Sequence, residues 1–353
     1  MNTWTEKEHP QRVFICPVCS GDSFAILAST ERVEQECKIR ERFIHRRLTR
    51  PASRDELKDL TDFFHAEKAD ILSCTGCRLL LRNEGEPPPA HEYSEDQYDP
   101  AVIEHLYPRY LNAFRRKETP YRSLLPPGAR IVEVGSHYGA FLQTAQEWGW
   151  QVEGVDVGKD TSRFAQSKGF TVHACELVDC TFPPRTFDGV FIWNCFEQID
   201  NPRPLLNETA RILKPNGLLV VRTPNGLFYS MCENLLAQET LPDVSKHFLV
   251  DAMGYNNLLG FPYLYGHNRS TLQQLIERFG FRCEGLLNSE LLTLPLPEDP
   301  EWVAREEHLT NAEIRMLANS AIAQGTDILT GPWIEMWFRV VSKDQATSRE
   351  AEV

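Results

Sequence analysis

Four cysteines arranged as two C-x-x-C pairs have the spacing of a metal site. The pairs are Cys16 with Cys19 and Cys74 with Cys77. Because a two-residue spacer lets both thiolates of one turn reach the same ion, and zinc prefers four such ligands in a tetrahedron, the pattern predicts structural Zn²⁺ in a zinc ribbon. A thioredoxin-like redox role is the alternative, but neither pair opens a βαβ unit. With no signal peptide apparent in the first residues, all ten cysteines are expected to be thiols or metal ligands.

A second group of residues is suited to binding a nucleoside. The segment from Arg130 to Leu142 has the pattern strand, glycine turn, helix, in which Gly135 and Gly139 bracket the turn and Glu133 precedes it. Asp156 ends the next predicted strand about 20 residues later, the spacing of an acid that accepts both hydroxyls of a ribose. Because the turn lacks the third glycine of a dinucleotide fold, a nicotinamide cofactor is disfavoured.

Together with the segments that follow it, this unit resembles the class I S-adenosylmethionine-dependent methyltransferases. The family motif E-x-G-x-x-x-G is present, and the segment from Phe187 to Asn225 contains FD before a strand, LKPNG before the next strand, and then TPN. The CPVC and later C-x-x-C pairs are similar to those of sugar and natural-product methyltransferases. The resemblance implies an α/β fold with a Rossmann-like, seven-stranded methyltransferase sheet, an N-terminal zinc ribbon and a helical insert or cap.

The resemblance also implies a binding site for S-adenosylmethionine. His137 stands where the family commonly has a second glycine, so we expect a negative φ at His137 and a reshaped loop. The residues implied to contact the cofactor are Glu133, Gly135, Ser136, His137 and Gly139 at the methionine part, Asp156 and Val157 at the ribose and adenine, Glu176 and Leu177 beside the adenine amino group, and Asn194 and Phe196 beneath the sulfonium.

Methyl transfer to a hydroxyl or a carbon needs a base, whereas a neutral amine can do without one. We select His267 and His247 as candidate bases, with Glu197 and Tyr265 behind them. For each side chain, a structural role such as a hydrogen bond within the cap is the competing interpretation. Gln198 occupies a position where similar sequences often have histidine, which removes one further candidate.

The elements that must position these residues divide the chain into four parts. The charged insert between the cysteine pairs predicts two amphipathic helices, which are either solvated or packed on the ribbon, the catalytic domain or a second subunit. A helix over the cofactor is expected from Tyr107 to Leu125, with Tyr93, Tyr98 and Tyr110 as candidate lid residues. For each tyrosine, ordinary packing is the competing interpretation. The parts are a zinc-ribbon module with a helical insert (1–90, insert about 31–70), a linker and lid helix (91–128), a methyltransferase domain with a cap insertion (129–342, insertion about 225–270), and a disordered tail (343–353).

Composition restricts the class of partner. The 353 residues carry a formal net charge of −13, which argues against a broad phosphate-binding surface and therefore against nucleic acid. No apolar run reaches the length of a membrane span, and ten cysteines without an apparent export signal make the cytoplasm the expected compartment. A homodimer is compatible with these features.

The leading interpretation is a methyltransferase that transfers the methyl group of S-adenosylmethionine to a small molecule or a sugar nucleotide, with the accepting atom left open. One alternative is a zinc-ribbon interaction protein whose methyltransferase-like domain is degenerate. The other is an NAD-dependent oxidoreductase, which Glu133 and the LKPNG segment count against.

Overall fold

The computed structural model describes residues 15–52, 69–83, 100–291, 301–323 and 331–341. The predicted second helix of the insert, the Pro87 to Pro89 linker, Tyr93 and Tyr98 of the lid, and the predicted tail lie outside these residues.

The described strands and helices alternate along most of the chain. The strands are β1 (Phe24–Ala28), β2 (Asp70–Cys74), β3 (Leu80–Asn83), β4 (Arg130–Val134), β5 (Gln151–Val155), β6 (Val172–His173), β7 (Phe187–Trp193), β8 (Leu213–Pro224), β9 (Tyr265–Gly266), β10 (Phe281–Ser289) and β11 (Trp333–Val340). The α-helices are α1 (Thr30–Arg46), α2 (Pro100–Arg115), α3 (Glu118–Tyr121), α4 (Ala140–Glu147), α5 (Lys159–Ser167), α6 (Pro202–Ile212), α7 (Gly226–Leu236), α8 (Asp243–Tyr255), α9 (Arg269–Glu277) and α10 (Glu301–Ala323).

A seven-stranded sheet forms the centre of the fold, as the sequence predicts. Its strand order is β10-β11-β8-β7-β4-β5-β6. The neighbouring pairs β6-β5, β5-β4, β4-β7 and β7-β8 are parallel, whereas β11 runs antiparallel to both β8 and β10. In the central strand β7, Val190, Phe191 and Ile192 are fully buried, because both faces of the sheet are covered.

Two apolar layers cover the faces of this sheet. On one face, α2 and α4 pack over Phe191 and Leu218, and on the other, α6 and α9 pack over Val190 and Leu219. Helix α2 begins seven residues before the predicted start at Tyr107 and ends at Arg115, and the one-turn helix α3 follows it. Both helices pack on the same face of the sheet, over β4 and β7.

A second sheet has four strands in the order β1-β2-β3-β9. The first three strands come from the N-terminal module, but β9 lies near the end of the predicted cap insertion. Leu80 pairs with Gly266 and Leu81 pairs with Tyr265 in antiparallel register. The N-terminal module therefore completes its sheet with a strand from the predicted methyltransferase segment.

The N-terminal helix α1 packs on the cap. Arg32 donates two hydrogen bonds of 2.9 and 3.0 Å to the Glu233 carboxylate on α7. At the other end of α1, buried Arg47 lies 3.0 Å from Asp251 and 2.9 Å from Glu306. The sequence left open whether this helix is solvated or packs on the ribbon, the catalytic domain or a second subunit. In the structure it packs on the cap of the predicted methyltransferase domain.

Among the described residues, no helix has the length and apolar character needed to cross a membrane.

Candidate active site and metal cluster

The glycine turn lies at the carboxyl end of β4. Gly135 has φ of +71°, and its N–H donates to Val155 O over 2.8 Å. A Cβ on Gly135 would lie only 2.7 Å from Cys195 Sγ, so both the conformation and the space at this position require glycine. Gly139, with φ of +76°, precedes the first residue of α4. The turn therefore lies at the edge where open α/β sheets bind ligands.

Two acidic side chains lie on either side of this turn. Glu133 is buried, and burial together with the nearby charge of Asp156 raises its pKa well above the ordinary value. The Asp156 carboxylate accepts hydrogen bonds from His137 N, Gly158 N and Thr161 Oγ1 over 2.7, 2.8 and 3.0 Å. A carboxylate offers about four acceptor positions. Three are therefore filled by the protein, and a ribose would use the remaining one or displace a loop donor.

The expected negative φ at His137 was wrong. His137 has φ of +47°, in the left-handed region. Its N–H bonds to Asp156, and its ring lies 3.6 Å, centroid to centroid, from the ring of Tyr138 and 5.8 Å from that of Tyr110. These contacts hold a side chain in a conformation that the family's glycine adopts freely.

The remaining implied cofactor residues follow β5, β6 and β7. Val157 is exposed after β5, and Glu176 is exposed while Leu177 is buried after β6. Asn194, with φ of +52°, and the buried Phe196 follow β7. All of them lie at the carboxyl ends of parallel strands, although their roles toward a cofactor stay a prediction.

Buried polar atoms with no hydrogen-bond partner among the described residues also occur at this edge. Such atoms are rare in folded proteins unless water or a ligand satisfies them. They therefore fit a site that binds a polar cofactor or substrate. Six belong to residues at or just beyond the ends of β4, β7, β8 and β9: Glu133 Oε2, Ser136 Oγ, Trp193 Nε1, Glu197 Oε2, Thr223 Oγ1 and His267 Nδ1.

Two of the four candidate bases are buried at this edge. Burial raises the pKa of Glu197 to about 8 and lowers that of His267 to about 3. His267 forms an isolated parallel bridge with Asn225, just after β8, and its ring lies 5.7 Å from that of Phe196. At neutral pH, His267 is therefore an uncharged imidazole and Glu197 is mostly a protonated carboxyl group.

The other two candidate bases form hydrogen bonds to backbone carbonyl groups. His247 is exposed on α8, and its Nδ1 lies 2.7 Å from Asp243 O, to which it donates. Tyr265 donates through its hydroxyl to Asp200 O over 2.9 Å, and burial raises its pKa to about 12. The structure buries Glu197 and His267 at the sheet edge, places the Tyr265 ring 6.1 Å from that of His267, and leaves His247 exposed.

The sequence prediction omitted two residues at this edge. Cys195 Sγ packs beneath the Gly135 backbone, and its pKa is raised by burial. The fully buried Arg222 of β8 donates to the side chain of Asn194, and it lies 3.2 Å from Glu335 on β11. A signal for Arg222 was available, because a charged residue interrupts the apolar run LLVVRT. No comparable signal marks Cys195.

The four cysteines of the two C-x-x-C pairs form one cluster. Their Sγ atoms all lie within 4.8 Å of one another, with 3.5 Å between Cys16 and Cys77 and 3.4 Å between Cys19 and Cys74. Four sulfurs about 2.3 Å from one zinc ion would be about 3.8 Å apart, so the donor set fits this metal.

The two cysteine turns have the same backbone conformation and the same hydrogen bond. Ser20 N donates to Cys16 O over 2.9 Å and Arg78 N donates to Cys74 O over 2.8 Å. Ser20 and Arg78 have φ of +62° and +63°. Each turn therefore places its two thiols on the same side, facing the other turn.

Comparison with known families identifies the domain. The model of a family described as methyltransferase domain matches residues 103–285, just over half of the chain. The chain belongs to this methyltransferase family. The match extends from helix α2 to strand β10 and includes every residue implied to contact the cofactor. The family predicted from the glycine turn and the LKPNG segment is confirmed.

Individual proteins similar to this methyltransferase domain include two curated bacterial enzymes. The demethylmenaquinone methyltransferase of Tropheryma whipplei is 32% identical over 137 residues, 37% of this chain and 57% of the relative. The ubiquinone biosynthesis O-methyltransferase of Bradyrhizobium diazoefficiens is 31% identical over 119 residues, 32% of this chain and 47% of the relative. The chain thus spans about half the length of these relatives.

A solved structure is also similar. The SAM-dependent methyltransferase of Archaeoglobus fulgidus has 20% identity and a TM-score of 0.41, with 65% of this chain and 94% of that one covered.

Proposed function

We propose that this protein is an S-adenosylmethionine-dependent methyltransferase whose acceptor is a small molecule or a sugar nucleotide. The observation that carries the proposal is the edge at β4 and β5, where a glycine turn lies between buried Glu133 and Asp156. Family membership supports the reaction type. The acceptor class is supported by the names of the two curated relatives, which concern small molecules, and by the similarity of the cysteine pairs to those of sugar methyltransferases.

The residues at this edge fit the cofactor, which supplies an activated methyl group when bound. Asp156 would accept a ribose hydroxyl, and Ser136 Oγ and Glu133 Oε2 would find partners in the polar methionine part. Gly135 allows the turn to form here, because a Cβ at this position would lie 2.7 Å from Cys195 Sγ. These residues mainly hold the reactants in line, and such alignment can supply roughly 7 to 11 kcal/mol of barrier reduction.

Glu197 is the better of the two buried candidate bases. A general base works best when its pKa lies near the operating pH. The pKa of Glu197 is about 8, whereas that of His267 is about 3, which makes the imidazole a weak proton acceptor. We assign proton acceptance to Glu197 and a hydrogen bond to the acceptor to His267 Nδ1.

Isothermal titration with S-adenosylmethionine tests the cofactor site. We expect micromolar binding by the wild type and none by Asp156→Ala. Asp160→Ala serves as a matched control. It removes a carboxylate that pairs with Arg163 within helix α5, and it should bind as the wild type does. If the folded wild type does not bind, the proposal fails, and the interaction protein with a degenerate domain takes its place.

The pH dependence of turnover tests the assignment of Glu197. Because the base must be deprotonated, kcat/KM should rise with pH up to about 8 and then level off. In Glu197→Gln this rise should be absent and turnover should fall by roughly 10²-fold or more. An unchanged profile would exclude Glu197 as the base.

A screen of candidate acceptors with the wild type identifies the substrate. It compares two sets of compounds, sugar nucleotides in one and phenols and quinols in the other.

We also propose that the four-cysteine cluster binds one structural zinc ion. The separation of its sulfurs and the matching turns support this metal. Elemental analysis of the purified protein should give one zinc per chain, and Cys16→Ser should lower this value, whereas Cys283→Ser, outside the cluster, should not. Retention of one zinc by Cys16→Ser would contradict the site.

A further inference from the structure

Helix α10 carries an exposed apolar stripe. Trp302, Leu309 and Met316 follow one another at intervals of seven residues, and their exposed fractions are 46%, 54% and 70%. Seven residues make nearly two helical turns, so the three side chains lie in a row. Val303 and Ile314, on the opposite side of the helix, are buried against the body of the protein. The stripe therefore faces away from the fold.

Two opposite charges lie beside this stripe. Arg305 and Glu313 are both exposed, and neither forms an ion pair within the part of the chain that the structure describes. Glu306 differs, because its carboxylate is 2.9 Å from Arg47 and accepts a 2.6 Å hydrogen bond from Tyr255. Together with Trp302 and Leu309, these charged residues line a shallow groove of about 280 Å³.

The stripe and its charges are arranged symmetrically about Leu309. Trp302 and Met316 lie seven residues to either side of Leu309, and Arg305 and Glu313 lie four residues to either side. If two copies of α10 cross antiparallel with a two-fold axis at Leu309, Trp302 of each copy meets Met316 of the other. Arg305 of each copy then meets Glu313 of the other, which gives two identical ion pairs.

We propose that this face is a homodimer interface in which α10 packs antiparallel on α10 of a second copy. The partner is a second copy because the charge complementarity is between the helix and itself. One pair of helices, each of 23 residues and about 35 Å long, buries an area at the low end of specific interfaces. The dimer is therefore weak, with a dissociation constant on the order of micromolar or above.

Sedimentation velocity of the full chain over a range of concentrations tests this interface without any substrate. The wild type should sediment as a monomer when dilute and approach the mass of a dimer when concentrated. Arg305→Glu and Glu313→Arg each place like charges opposite one another, so each should weaken dimerisation by at least about tenfold. The double variant Arg305→Glu/Glu313→Arg should restore it.

Two controls make the result specific. Arg203→Glu makes the same change in charge on the distant helix α6 and should leave dimerisation unchanged, whereas Leu309→Asp, at the axis, should abolish it. Recovery in the double variant shows that the single variants retain their fold. A wild type that stays monomeric at the highest concentration would overturn the proposal, and so would a dimer that Arg305→Glu and Leu309→Asp leave intact.

Discussion

The two sheets of this protein are assembled from different kinds of chain segment. Strands β4 to β8 of the seven-stranded sheet follow one another within about 95 residues and are joined by the helices that cover them. The four-stranded sheet unites three N-terminal strands with β9, about 180 residues farther along the chain. The first sheet is therefore specified by repeated local patterns, whereas the second depends on a contact between distant segments and on the cysteine cluster.

Removing the proposed zinc ion is expected to have the largest effect, and this effect should differ between the two sheets. Structural zinc contributes on the order of 10 kcal/mol to folding a small module. Chelation of zinc-loaded protein, or Cys77→Ser, should therefore abolish hydrogen-exchange protection in β2 and β3 and leave that in β4 and β7 almost unchanged. Cys180→Ser, which alters a cysteine outside the cluster, is the control. Equal loss of protection in both sheets would show that they are not separate units of stability.

A smaller effect is expected from a methyl group at the ligand edge of the seven-stranded sheet. Gly135→Ala should lower the free energy of unfolding by about 1 to 3 kcal/mol through its positive φ, and by roughly 2 kcal/mol more through overlap with Cys195 Sγ. Gly149→Ala is the control, because its φ is +91° but no atom lies within 4 Å of the added Cβ.

Urea unfolding of the two variants measures this difference. Adding Cys195→Ala to Gly135→Ala should recover the part of the loss caused by overlap and none of the part caused by φ. Zinc content should stay constant throughout. Equal destabilisation by the two alanine substitutions would mean that the contact with Cys195 is not tight.

The smallest effect concerns His267, which lies where the two sheets meet. Its pKa is about 3 in the folded protein and about 6.5 when unfolded, so between these values the unfolded chain binds a proton that the folded chain does not. Stability should therefore fall as the pH falls below 6.5, by roughly 2 kcal/mol at pH 5.

Thermal unfolding at pH 7 and pH 5 measures this contribution. His267→Gln should lose this part of the acid sensitivity, whereas His247→Gln, a change at an exposed histidine, should retain it. If the two variants respond alike, His267 does not become protonated on unfolding in this range.

The contrast between the sheets also explains what the sequence could predict. Strand β4 was predicted to open the segment that starts at Arg130, and it does start there, because hydrophobic periodicity is local. Strand β9 has only two residues, too few for any periodicity, and its partner Leu80 is distant in the chain.

The candidate site follows the same division. Glu133, Gly135 and Asp156 were recognisable because they occur in one motif at fixed spacing. The left-handed conformation of His137 was not, because it depends on a hydrogen bond to Asp156 and on ring contacts with Tyr138 and Tyr110. Burial of His267 and exposure of His247 could not be distinguished either, since neither lies in a periodic segment that indicates which side faces the core.

The pairing of β9 with β3 also has a consequence for biosynthesis. At about 5 to 20 residues per second, the ribosome needs on the order of 10 to 40 s to reach Gly266 after β3 has been made. During that interval the edge of β3 lacks its partner, although both cysteine turns have already been synthesised. Early metal capture would hold the N-terminal hairpins together while they wait for the last strand of their sheet.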